Sequence, residues 1–255
     1  MNKKGQTTIF IIGAIIIIAA AVIIFLLYPK INPPKLEDET NPKIYIAKCV
    51  ENEMATVLDK ISKQGGSLSP EHYILYGGNK VGYLCYTNKY YETCSNQQPL
   101  LKENIQKEIE NYIKPKAEKC VGDFVANIKK KGYSVSNDGV EVSVEIIPNN
   151  LIVNVNAPMT ISKNSQKTYD IFRVVEKSRL YTLIMISTSI LNWEAKYGDA
   201  DPNSYMLLYP SIQIEKFKQT EGTSIYKLTD RNNLDEFIFA SRSGVFPAGY
   251  GFSQT

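Results

Sequence analysis

The sequence predicts an α+β protein, in which an N-terminal transmembrane helix is followed by an extracytoplasmic domain with two disulfide-linked helices and an antiparallel sheet. Three observations predict it. Residues 9–28 are an uncharged apolar run, all four cysteines lie beyond that run, and the hydrophobic period changes from 3.6 to 2 near residue 140.

The apolar run reads IFIIGAIIIIAAAVIIFLLY, 20 residues of which 14 are Ile, Leu, Val or Phe. As a helix it would measure about 30 Å, the hydrocarbon thickness of a bilayer. Ala19, Ala20 and Ala21 sit in mid-run with Val22 to Leu27 still to follow, so the segment reads as a retained anchor and not as a cleaved secretory signal. Lys3 and Lys4 precede it, and Glu37, Asp38 and Glu39 follow. That asymmetry predicts a single-pass protein in the cell membrane, with a cytoplasmic N-terminus, residues 29–255 outside, and membrane lipid as the partner of residues 9–28. The expected organisation is a basic leader and transmembrane helix over 1–28 and a spacer over 29–42 containing Pro29, Pro33, Pro34 and Pro42. An extracytoplasmic α+β domain then occupies 43–255, with a candidate sub-boundary near 135.

Cys49, Cys85, Cys94 and Cys120 form an even set, which in an exported domain indicates two disulfides with three conceivable connectivities. Cys85 and Cys94 fall in GYLCYTNKYYETC, read as a hairpin turning near Asn88 and Lys89 with the two sulfurs on opposite strands. Cys49 and Cys120 are left to join two separate helices. The spacings lack any CxxC pair and His72 is the only histidine, so a zinc site is not expected, nor is any other metal or cofactor.

Asn41 and Pro42 read as the cap and first position of a helix that buries Ile44, Ala47, Val50, Met54, Val57, Leu58 and Ile61, and ends at Gly65 and Gly66. Gly77, Gly78 and Gly82 read as turn residues. Pro99 opens a second helical region with one stripe over Leu101, Ile105, Ile109, Tyr112 and Ile113. After a break or kink at Pro115, another stripe covers Ala117, Cys120, Val121, Phe124, Val125 and Ile128. Lys129 to Lys131 before Gly132 suit a helix C-terminus. Val140, Val142, Val144 and Ile146 then alternate with polar residues as a strand. Further strands are predicted at Leu151 to Ala157, Lys167 to Val175, and around 212–219, 223–229 and 235–241, with a helix over about 177–197.

No catalytic constellation stands out. His72 has no motif around it, GGNKVG lacks the Lys-Ser/Thr ending of a phosphate loop, and the carboxylates show no distinctive pairing, so an enzyme is not expected. The formal charge of +3 owes two units to Lys3 and Lys4. Without them 27 basic residues face 26 acidic ones, which leaves no footprint for a nucleic acid. Among the 17 tyrosines, Tyr83, Tyr86, Tyr90 and Tyr91 cluster near a predicted disulfide and form the candidate binding surface.

The N-terminal KKGQTTIFIIGAIIIIAAAVII resembles the class III, pilin-like signal sequences of archaea. It looks particularly like the KKGQ-type leaders of uncharacterised surface proteins in small, host-dependent archaea. The resemblance extends, less specifically, to the cysteine-bearing helix before QGG, to the helix with Cys120, and to the segment NAPMTISKNSQKTYDIFRVVEKSRLY. It implies a processing site between Gly5 and Gln6. Thr8 nearly matches the family pattern, Phe10 departs from it, and Pro29 stands where pilins continue the helix. The expectation is a non-enzymatic, membrane-anchored surface protein making structural or adhesive contacts with other envelope proteins or a partner cell. The alternatives are a pilin-like subunit, processed after Gly5 and self-associating into a filament, and an anchored extracellular enzyme.

Overall fold

Asn41 opens the first helix of the domain as a cap: its Oδ1 accepts the Lys43 backbone N–H at 3.1 Å, and its carbonyl accepts that of Tyr45 at 3.1 Å. The computed structural model describes residues 40–247 and, earlier in the chain, only Ile17 and Ile18. Helix α1 (Pro42–Lys63) buries Ile46, Val50, Met54, Val57 and Ile61. The stripe therefore begins at Ile46 and not at Ile44, which is 43% exposed. Gly65 and Gly66 stop the helix at φ 72° and 89°, a left-handed turn that places Gly66 against Ile105. A Cβ on Gly66 would lie 2.7 Å from that side chain. Gly66→Ala, strained in φ and in space, is expected to destabilise by about 1–3 kcal/mol in urea unfolding.

Helix α2 (Leu101–Lys130) is continuous through Pro115, where a break or kink is expected, so the helix does not break there. The two sequence stripes are one: Leu101, Ile105, Ile109, Ile113, Ala117, Val121, Phe124 and Ile128 are all buried at continuous helical spacing. Pro115 itself is on the exposed side, where water can take the carbonyl it frees. Burial of the whole stripe outweighs the roughly 3 kcal/mol that an internal proline costs.

Strands β1 (Tyr73–Tyr76) and β2 (Asn79–Tyr86) form a hairpin across Gly77 and Gly78, both at positive φ. Gly82, expected in the turn, instead lies within β2. There a Cβ would stand 3.0 Å from the Gln64 carbonyl and 3.2 Å from Pro70, so its role is close passage of the chain leaving α1. The predicted cysteine hairpin is present with its Cys85–Cys94 bond, but its turn is wider than expected. β3 (Ser95–Asn96) pairs with β2 so that Cys85 faces Asn96, and Cys94 stands just before the strand. Residues 87–94 form a wide loop and not a turn centred on Asn88 and Lys89.

The chain continues through β4 (Ser134–Asn137), β5 (Glu141–Ile147), β6 (Asn150–Ser162) and β7 (Gln166–Lys177). These make an antiparallel four-stranded sheet centred on β6, with α2 packed on β4 and β5. Helix α3 (Leu180–Tyr197), the short α4 (Pro202–Leu208), and strands β8 (Ile212–Lys218), β9 (Thr223–Asp230) and β10 (Glu236–Arg242) complete the fold. The second sheet has the order β1-β2-β10-β9-β8 and is mixed, because β10 runs parallel to β2. One face carries Val81, Ile225, Ile238 and Ala240, while Tyr226 stacks on Phe239 at 5.2 Å among the largest buried side chains. Helix α3 touches strands of both sheets. The compact unit that begins at Ile46 runs without division past residue 135.

An ionic lock fixes the start of α3. Arg179 Nε donates to the buried Asp230 at 2.9 Å and Arg179 Nη1 to Asn149 Oδ1 at 2.6 Å, while Asp235 accepts the Arg179 backbone N–H at 2.6 Å. Burial by itself would raise the Asp230 pKa, but the backbone N–H groups of Asn232 and Asn233 and the Arg179 guanidinium outweigh it and hold the carboxyl below its usual value. A depressed carboxylate stabilises the fold above the ordinary carboxylate range, and that stability is lost as pH falls through the folded value. The stability gap between wild type and Asp230→Asn is therefore expected to be wide at pH 7 and to close below about pH 4, as read by urea midpoints across that range.

The membrane expectation is corrected. Residues 9–28 lie outside the described residues apart from Ile17 and Ile18, and no helix among the described residues is long and apolar enough to cross a membrane. Helices α1 and α2 carry charges on nearly every turn, and α3 holds Glu194 and Lys196 within its 18 residues. The fold described is an α+β domain with two sheets and four helices, and the single-pass location with a cytoplasmic N-terminus is withdrawn with the spanning helix. The two disulfides point instead to an oxidising, non-cytoplasmic compartment.

Candidate functional site

The loop after β2 is closed covalently and then pinned along its length. Cys85 and Cys94 are bonded, with Cα atoms 5.4 Å apart. The segment leaving β10 runs beside the loop: Thr87 N–H donates to Arg242 O at 3.0 Å, Tyr91 N–H to Val245 O at 2.9 Å, and Gly244 N–H to Glu92 O at 2.9 Å. Arg242 Nη1 donates to Thr87 O at 2.6 Å, and the same guanidinium lies 5.7 Å over the Tyr90 ring. Gly198, which ends α3, packs against Gly244 and Thr93, an approach that leaves little space for a Cβ.

Beneath the loop sits a buried polar cluster centred on Glu194, whose side chain is 2% exposed. Its Oε1 accepts from Lys216 Nζ at 3.2 Å, from the Ala200 backbone N–H at 3.0 Å and from the Tyr226 hydroxyl. Its Oε2 accepts from Ser241 at 3.0 Å. Ser243 links the cluster to the disulfide, donating to the Glu194 carbonyl at 2.8 Å and accepting the Cys94 N–H at 2.9 Å. Lys216 also pairs with Asp199, whose carboxyl it holds below its usual value against the opposing effect of burial. Burial and the neighbouring Glu194 carboxylate push the Tyr226 phenol far above its ordinary pKa, so it remains a hydrogen-bond donor. Each polar group is satisfied from within, and the cluster works as a brace between α3, β8, β9, β10 and the loop.

The four tyrosines of the predicted binding surface divide into two groups. Tyr83 is half-buried, with its hydroxyl 2.9 Å from Thr223 Oγ1, and Tyr86 meets it edge-on at 5.0 Å. His72, exposed in the structure, stacks on Tyr83 at 4.5 Å and meets the Tyr86 ring at 4.1 Å. Tyr90 and Tyr91 stand on the loop at 51% and 59% exposure, and Tyr91 lies edge-on to the exposed Phe246 at 5.4 Å. Tyr91 adopts φ 63°, a left-handed conformation that bulky residues seldom take.

Beside the His72–Tyr83 pair opens a cleft of about 360 Å3, lined by the loop after α1, by Gln97 and Gln98 after β3, and by the first turns of α2. Glu108 shapes it by accepting the Leu68 N–H at 3.1 Å. Nothing in the sequence marked this cleft, because its residues come from four separate segments. A second surface also went unread: Trp193 and Leu208 line a groove of about 280 Å3 on α3 and α4, and Tyr197 and Leu207 are exposed on the same two helices. The helical spacing of Trp193 and Tyr197 on α3 was the available signal.

Cys49 and Cys120 are bonded between α1 and α2 with Cα atoms 6.2 Å apart. Gly5 and Gln6, the processing site implied by the leader, lie outside the described residues. Among the described residues no group of three or more His, Cys, Asp or Glu side chains could hold a metal ion. No protein-family model matches the chain, and no curated protein and no solved structure is detectably similar to it.

Proposed function

We propose that this chain is a non-enzymatic contact protein of an oxidising compartment, making structural or adhesive contacts in the cell envelope through the rim of the disulfide loop. The reading is in keeping with the archaeal surface proteins whose leaders its N-terminus resembles. The observation that carries it is Tyr91. A tyrosine held at φ 63° and more than half exposed, on a loop pinned by a disulfide and three backbone bonds, is strained without gaining burial. Strain maintained by surrounding structure at an exposed aromatic residue suits a preorganised contact. With Tyr86, Tyr90, Phe246 and His72 it offers a rigid aromatic rim, the chemistry of a protein or glycan contact.

The test separates display from stability. Tyr90→Ala and Tyr91→Gly are each expected to weaken binding of the full chain to intact cells of its native community at least about tenfold, as hot-spot aromatics do. Tyr91→Gly is expected to keep stability within about 1 kcal/mol of wild type, since glycine accepts the positive φ at an entropic penalty of similar size. Unchanged binding by both variants would remove the rim from the account.

One observation favours a second reading, an enzyme: Glu71, His72 and Glu108 line the same cleft. Turnover of a supplied glycan that Glu71→Gln abolishes would establish it.

A further inference from the structure

Building on the contact-protein reading, we infer that the cleft beside His72 and Tyr83 binds a neutral saccharide of roughly one or two hexose rings. Its volume of about 360 Å3 lies at the lower end of the small-ligand range of roughly 300–1,000 Å3.

Charge selects the ligand class first. Among the described residues no Lys or Arg lines the cleft, whereas Glu71 and Glu108 do, so phosphates, nucleotides and acidic sugars meet repulsion and no counter-charge there. Hydrogen-bonding chemistry selects next. Gln97 commits its Nε2 to Ser95 O at 2.8 Å, and Gln98 Oε1 accepts from Asn104 Nδ2. Three amide ends then remain without a protein partner among the described residues: Gln97 Oε1, Gln98 Nε2 and Asn104 Oδ1. Two acceptors and a donor suit the hydroxyls of a sugar, each of which both donates and accepts. A purely apolar ligand would leave all three unpaired.

The remaining wall supplies what a sugar's C–H faces need. Leu84, Leu101 and Ile105 line the same cleft as the aromatic His72 and Tyr83. Rigidity completes the case. Glu108 fixes the loop after α1 through the Leu68 N–H and Ser67 Oγ, and β3 is tied to β2 beside the Cys85–Cys94 disulfide. The walls are set before a ligand arrives, which lowers the ordering cost of binding.

The test is calorimetry and saturation-transfer NMR of the full chain with cellobiose, maltose, mannobiose and chitobiose, and with digalacturonate as the acidic counterpart. At least one neutral disaccharide is expected to bind, digalacturonate is not, and Asn104→Leu and Gln98→Leu should each weaken the neutral sugar about tenfold. Both variants must keep the wild-type near-UV circular dichroism, the expected result since Asn104 is exposed and Gln98 is only half-buried. Absence of binding by all four neutral sugars, equal binding of digalacturonate, or wild-type affinity in both folded variants would overturn the inference. Failure here is distinct from failure of the contact reading. Cell binding that survives Asn104→Leu but is lost with Tyr90→Ala retains the rim without the sugar, whereas cell binding indifferent to the tyrosines removes the rim whatever the sugars do.

Discussion

Replacing Cys49 and Cys120 together by alanine lowers the unfolding free energy by about 4 kcal/mol. The bond closes a loop of 71 residues, and the entropy it removes from the unfolded chain grows with the logarithm of that length. Weaker polar contacts also join α1 and α2 near this point. Tyr112 donates to Glu53 at 3.2 Å and Lys116 stands 3.8 Å from the same carboxylate, both in partly exposed positions worth a fraction of a kcal/mol. The Cys85–Cys94 bond, with a separation of nine, closes a far smaller loop, and its removal is expected to cost only about 2–3 kcal/mol. Urea unfolding of the two double variants therefore ranks them: the inter-helix pair shifts the midpoint further, while the loop pair carries the larger effect on binding.

Glu194→Ala is the second large effect, about 3–5 kcal/mol. The substitution leaves Lys216, whose side chain is 8% exposed, with Asp199 as its remaining ion-pair partner, and Asp199 is itself mostly exposed. It also strips acceptors from the Tyr226 and Ser241 hydroxyls and from the Ala200 N–H, all in buried surroundings. Breaking a buried pair by deleting one member is costly because the other stays buried. Glu194→Gln keeps one acceptor oxygen and the side-chain volume, so it should fall between wild type and the alanine variant. Thermal melting orders the three, and equal midpoints for glutamate and alanine would show that the cluster is not a brace.

Elements whose information is local were legible. The change of period near residue 140 marked β5, and the apolar spacing over Leu180 to Leu191 marked α3. Capping by Asn41 and the left-handed stop at Gly65 and Gly66 follow from the conformational preferences of those residues. Pro115 misled because a local rule, that proline breaks helices, competes with an apolar stripe that passes straight across it, and burial wins. The parallel pairing of β10 with β2 joins segments about 150 residues apart, and no local pattern encodes it. Gly82 looked like its neighbours in the turn, and only the passage of Gln64 and Pro70 explains it.

The candidate site was half legible for the same reason. The Tyr-rich run beside Cys85 and Cys94 marked all four tyrosines together as a candidate surface, and of these Tyr90 and Tyr91 are exposed. His72 gave no hint of the stack it makes with Tyr83, a contact set by tertiary packing. Glu194 lies in NWEAKY, which reads as an ordinary solvated helix end, and only the sheet beneath turns it inward. Trp193, its neighbour, faces outward for the complementary reason.

The most direct measurement of the central claim is a hydroxyl-radical footprint of the full chain, free and bound to intact cells of its native community. The account predicts protection concentrated at Tyr86, Tyr90, Tyr91 and Phe246, with Ile171 and Val175 on the exposed side of β7 unchanged. Protection at Trp193 and Leu208 with the loop tyrosines still reactive would contradict it, and would move the contact to the surface of α3 and α4.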